Sequence, residues 1–121
     1  NLHEASALTG RTIASLGGMR DAASALRDQG VAAVLVKGGH LGKGAVDVLL
    51  DDSGFQEIGA EHVDVGPVHG TGCVLSAVIA ARLALGATLA EAVVTAKRFV
   101  HEAIVGATPI GGGSRVLRLV R

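Results

Sequence analysis

The octet His69-Gly70-Thr71-Gly72-Cys73-Val74-Leu75-Ser76 constrains this chain more than any other stretch. Alternating residues precede it (Glu61, His62, Val63, Asp64, Val65), the period of a strand. A small, apolar run without Pro or Gly follows from Val74 to Leu85, as in a buried helix. A strand that enters a helix through Gly-Thr-Gly belongs to an α/β fold. A helix start carries unpaired N–H groups and the positive end of the helix dipole. Glycines let that backbone approach an anion closely. Cys73 falls where the dipole favours a thiolate. The octet alone fits two readings: a phosphate cradle, or a tight turn with one buried cysteine.

Composition excludes several alternatives. Of 121 residues, 49% are hydrophobic, enough for the core of one domain over residues 1–121. The formal net charge is 0, which argues against a general grip on nucleic acid or an anionic membrane. Trp and Tyr are absent and there are two Phe, so base stacking on aromatic platforms is not expected. The 18 glycines lie at turns rather than in a repeat, which removes collagen-like and disordered readings. One cysteine makes no internal disulfide, so a reducing, cytoplasmic compartment is expected. Arg82 interrupts the longest apolar run before it reaches membrane-spanning length. No signal peptide pattern is visible.

Along the chain, Asn1 to Gly10 reads as a short helix with Asn1 as cap, Glu4 at capping-box spacing and Gly10 as stop. Arg11 to Gly18 shows no clear period and reads as loop with a weak helical turn. Met19 to Gln29 is a clearer helix, with Met19, Ala22, Ala23 and Leu26 on one face. Gly30 ends it, and Val31 to Val36 follows as a continuous apolar run, the mark of a strand covered on both faces in a parallel sheet. Lys37-Gly38-Gly39-His40 closes that strand. Ligands of open α/β sheets gather beyond strand carboxyl ends, so Lys37 is either a phosphate contact or a solvated strand-end lysine; His40 reads as a turn residue. Ala45 to Leu50 and Phe55 to Val65 form a hairpin around Asp51-Asp52-Ser53-Gly54. The helix from Gly72 to Gly86 is expected to be buried on more than one side. Thr88-Leu89-Ala90-Glu91 is a capping box for the last helix. Ala92, Val93, Ala96, Phe99, Val100, Ala103 and Ile104 form its apolar stripe, with Lys97 and His101 toward the outside. Val116 to Val120 reads as a strand or a docking segment.

In order, Asn1-Leu2-His3-Glu4-Ala5, Val36-Lys37-Gly38-Gly39-His40-Leu41, the octet at His69 and Ala96-Lys97 closely resemble the C-terminal half of hydroxymethylpyrimidine (phosphomethylpyrimidine) kinases. These are thiamine-pathway enzymes of the ribokinase-like superfamily. The resemblance runs from Asn1 to about Gly106; Arg11 to Gly18 and Gly111 to Gly113 match poorly. It implies a partial ribokinase-like α/β fold: a mostly parallel sheet with an appended antiparallel hairpin and flanking helices. It implies ATP-dependent phosphorylation of a pyrimidine hydroxymethyl group and then of the monophosphate. By similarity Gly70, Thr71 and Gly72 form the anion hole, and Cys73 stands at the position of the catalytic base. Asn1 and Glu4 match the motif that holds Mg²⁺, usually through water. Lys37 matches a lysine near the ATP phosphates, and Lys97 one that flanks the nucleotide base.

Family members are longer and place most of the pyrimidine pocket in an N-terminal half. This chain therefore reads as the ATP-side portion, inactive alone and prone to form a homodimer. Two alternatives stay open: a pyridoxal kinase with the same cysteine, and a non-catalytic nucleotide-binding or dimerisation module. A cysteine-nucleophile hydrolase lacks an arguable Cys-His pair. A dinucleotide-binding fold lacks Gly-x-Gly-x-x-Gly after the first strand.

Overall fold

The computed structural model describes residues 1–39 and 44–119. The chain divides into two compact units, Asn1–His62 and Val63–Arg121. The first carries α1 (Leu2–Thr9), α2 (Leu16–Arg27) and the strands β1 (Val34–Lys37), β2 (Gly44–Asp51) and β3 (Gly54–Glu61). Asn1 and Glu4 close a reciprocal capping box, and Gly10 ends α1 in the left-handed region at φ 67. In α2 the start lies earlier than periodicity predicts. Ser15 caps it by accepting the Gly18 N–H, so Leu16 to Gly18 are helical. Two glycines in that first turn had masked the period.

The sheet runs in the order β1-β2-β3. Both pairings are antiparallel, Val36 facing Val48 and Val48 facing Glu57. The α/β class and the hairpin stand, but β1 was expected in a parallel arrangement. The cause is the short connection from Lys37 to Gly44, since parallel neighbours need a crossover of about a dozen residues or more. Register puts Val34, Val36, Val48 and Leu50 on one face. There Ala5, Ile13, Met19, Ala22 and Ala23 complete the core. The hairpin tip is tied by Asp51, whose Oδ1 accepts from the Ser53 N–H (2.8 Å) and hydroxyl (2.5 Å). Arg27 of α2 donates to the Asp51 carbonyl (2.9 Å) and pairs with Asp52. Arg20 pairs with Glu57 and lies over the Phe55 ring. These contacts fasten α2 to the sheet.

The second unit carries β4 (Val68–His69), α3 (Thr71–Ala84), α4 (Leu89–Val105), β5 (Thr108–Pro109) and β6 (Arg115–Val116). β6 lies between β4, which it pairs in parallel, and β5, antiparallel. The Arg115 N–H donates to the Pro67 carbonyl (3.0 Å) and the Arg118 N–H to the Ala103 carbonyl (3.4 Å). The tail is thus strand first and docking segment after; Val120 lies outside the described residues. Thr88 and Glu91 form the expected capping box of α4. Its inward face holds Ala92, Val93, Ala96, Val100 and Ala103. Three expectations fail here. In α3 only Leu75 is buried, and within its unit α3 packs along α4. Phe99 is exposed, since the alanines of α4 fill the close contact instead. Lys97 is buried at 8% exposure, on the helix face of Val93 and Val100 rather than outside.

Candidate functional site

Each unit assembles one group of the predicted residues. In the second unit the β4–α3 junction turns at Gly70, whose φ of 90 lies in the left-handed region. That turn brings the chain from β4 into α3 within one residue. Gly70 has no side chain, so nothing caps α3 from within, whereas Asn1, Ser15 and Thr88 cap the other three helices. The first intrahelical bond runs from the Val74 N–H to the Gly70 carbonyl (3.0 Å). The amides of Thr71, Gly72 and Cys73 therefore precede the helix ladder, at the positive end of its dipole. Thr71 and Gly72 are half-buried and Cys73 is exposed. The reading of the octet as a turn around a buried cysteine is thus overturned: the helix start is open and the thiol stands at it. Ser76, one turn on, donates its hydroxyl to the Gly72 carbonyl (3.0 Å) and stays with the helix.

In the first unit Asn1 and Glu4 line one cleft together with Val34 and Val36 of β1, the strand that Lys37 ends. Asn1 Oδ1 accepts the Glu4 N–H (3.0 Å), and the Asn1 backbone nitrogen donates to Glu4 Oε2 (2.5 Å). Glu4 is exposed, a hard oxygen donor beside a cleft of about 420 Å³ that Leu8, Leu26, Val31 and Val34 also line. One exposed carboxylate and one amide oxygen suit Mg²⁺, which keeps several waters and takes few protein ligands. Among the described residues no cluster of three His, Cys, Asp or Glu could cage a metal.

Lys37 ends β1, half-buried, directly opposite Asp47. Gly38 follows it, and a β-carbon there would lie 2.1 Å from the Val46 carbonyl oxygen, with Met19 nearly as close. Its N–H donates to Asp47 Oδ1 at 3.0 Å. Sequence reasoning passed over Asp47; the signal was a carboxylate inside the apolar run Ala45 to Leu50. His40 lies outside the described residues. Lys97 sits on the buried face of α4, and one turn on His101 turns a buried Nε2 inward that has no hydrogen-bond partner among the described residues.

A glycine-capped helix start with uncapped amides can receive an anion, and the solved structures this chain resembles are small-molecule kinases. A pyridoxal kinase from Bacillus subtilis in complex with ADP superposes with a TM-score of 0.92 at 34% identity, over 98% of this chain and 47% of its own. A pyridoxal kinase from Staphylococcus aureus in complex with AMP-PCP and pyridoxal gives 0.93 at 31% identity, over 98% and 45%. The phosphomethylpyrimidine kinase family profile matches residues 1–118. The chain belongs to that family. A hydroxymethylpyrimidine/phosphomethylpyrimidine kinase of Rhizobium meliloti (strain 1021) is 47% identical over 109 residues, which are 88% of this chain and 41% of that enzyme. The chain thus spans less than half the length of the relatives it matches.

Proposed function

We propose that this chain supplies the nucleotide and anion-hole side of an ATP-dependent kinase for hydroxymethylpyrimidine and its monophosphate, in thiamine biosynthesis. The observation that carries the reading is the open start of α3, where Gly70 leaves three amides uncapped beside an exposed Cys73. In this reading Gly70, Thr71 and Gly72 form the anion hole, the uncapped Thr71 and Gly72 amides meeting the negative charge that develops on the transferring phosphoryl group. Such donors need no reorganisation at the moment of reaction, and phosphoryl transfer is mostly positioning and charge stabilisation. Cys73, at the same helix start, takes the proton of the attacking hydroxyl or holds that hydroxyl in line. Lys37, at the end of β1, is by the resemblance the lysine that contacts ATP phosphates as a point charge. Asn1 and Glu4 hold Mg²⁺ through water, and the ion when bound neutralises phosphate charge. Lys97, although buried, is assigned to the nucleotide site as the helix lysine of the resemblance.

One observation favours a second reading: the solved structures with TM-scores of 0.92 and 0.93 are pyridoxal kinases. The sequence relatives favour the pyrimidine. The test assays the full-length protein with ATP on both alcohols. Faster phosphorylation of hydroxymethylpyrimidine, lost in Cys73→Ala, supports the first reading. Turnover of pyridoxal alone transfers the assignment to the second, and turnover of neither with ATP bound leaves a non-catalytic nucleotide module.

A further inference from the structure

We infer that Asp47 is a positioning residue for the nucleotide site: it pins the Lys37-Gly38-Gly39 turn and so fixes the base from which Lys37 extends. The inference rests on the reading of Lys37 as a phosphate contact. Asp47 lies in mid-strand on β2 at 5% exposure, between Val46 and Val48. A carboxylate is costly to bury unless it is hydrogen-bonded, and an apolar residue would serve the sheet interior better. One contact of the carboxylate is local. Its Oδ1 accepts the Gly38 N–H at 3.0 Å, the first amide beyond the end of β1. The turn is seated from the other side as well, since the Cβ direction of Gly38 is filled by the Val46 carbonyl oxygen and by Met19 of α2. Lys37 and Asp47 are direct cross-strand partners, so both side chains leave the same face of the sheet. A lysine is a flexible point charge on a long stem. Its delivery to a phosphate depends on where its backbone is held, and one buried acceptor holds it.

The test is a double-mutant cycle on the full-length protein, read as the ratio of ATP to adenosine affinity. Lys37→Ala and Asp47→Ala are each expected to lower that ratio about tenfold, the worth of one charge-assisted contact. On the Lys37→Ala background Asp47→Ala is expected to change it by less than about twofold, since coupled residues are non-additive. Asp47→Asn, which keeps an acceptor for Gly38, is expected to restore the ratio. Where Asp47→Ala fails to fold, Asp47→Leu removes the acceptor at closer volume. Additive losses overturn the inference, as does an Asp47→Asn variant as weak as Asp47→Ala. An unchanged ratio in Lys37→Ala breaks the phosphate reading of Lys37 itself and takes the inference with it, an outcome distinct from additivity. Hydrogen exchange in the unmutated protein gives a check without variants: the Gly38 amide is expected to be protected, and free exchange there overturns the pin.

Discussion

Gly70 holds a backbone conformation that a β-carbon disfavours by about 1–2 kcal/mol. Among the described residues no atom lies within 4 Å of the position that β-carbon would take. Gly70→Ala is therefore expected to cost only that strain in a urea melt. Gly38 presents the opposite case: its backbone is unstrained by sign of φ, but the Val46 carbonyl oxygen occupies the β-carbon position. Gly38→Ala is expected to cost about 1–3 kcal/mol as an overpacking change, and Gly39→Ala, with open space around it, much less. At Cys73 the expected effect is on rate. If the thiol manages the proton, Cys73→Ala lowers kcat of the full-length enzyme by about 100-fold or more, measured by ADP release, while the melt stays close to that of the parent because the side chain is exposed.

The helices are specified by their ends more than by their stripes. Ser15 alone supplies the side-chain acceptor for the first turn of α2. Ser15→Ala is expected to cost about 1 kcal/mol, checked by thermal unfolding. The capping box of α4 and the hairpin tip add a dependence on pH. Glu91 is held below the usual carboxylate range by the Thr88 N–H and then its hydroxyl, and Asp51 by the Ser53 hydroxyl and then its N–H. Both shifts are downward, so the stabilisation is complete above the unfolded carboxylate values and is lost as pH falls through the folded ones. Thermal stability is expected to be flat above about pH 5 and to decline below about pH 4. Thr88→Ala is expected to narrow its deficit against the parent over the same acid range. A deficit that grows on acidification would contradict the linkage.

For the whole molecule, the fraction of the family's length decides what the segment can do. The chain spans 41% of the Rhizobium relative and 47% of the Bacillus pyridoxal kinase. By itself it is expected to show little or no phosphorylation of hydroxymethylpyrimidine. Turnover by the 121-residue chain that disappears in Cys73→Ala would contradict this. Leu85 is 78% exposed, Val105 and Ile110 each 61%, and among the described residues β1 and β3 each pair on one side only. Apolar surface and open strand edges favour self-association. Light scattering is expected to show a dimer or larger species, and a monomer across the accessible concentration range would contradict it. Among the described residues no helix is long and apolar enough to cross a membrane.

Local chemistry was legible in the residues alone. The caps at Asn1 and Thr88, the hairpin at Asp51 to Gly54 and the Gly-Thr-Gly entry to α3 each depend on neighbours within a few positions, so their side chains and φ preferences specify them. The candidate site was legible to the same depth: the octet marked the open helix start, and Lys37 the strand end. What lies between distant positions was not. The burial of Lys97, the exposure of α3 and Phe99, and the hydrogen bond from Gly38 to Asp47 depend on which elements pack together. Helical period names a face but not its neighbour. A run of β-branched residues names a buried strand but not its direction, which the short link from Lys37 to Gly44 decided. Sequence specifies each element through contacts a few residues long; only the packed chain chooses which side of each element meets water.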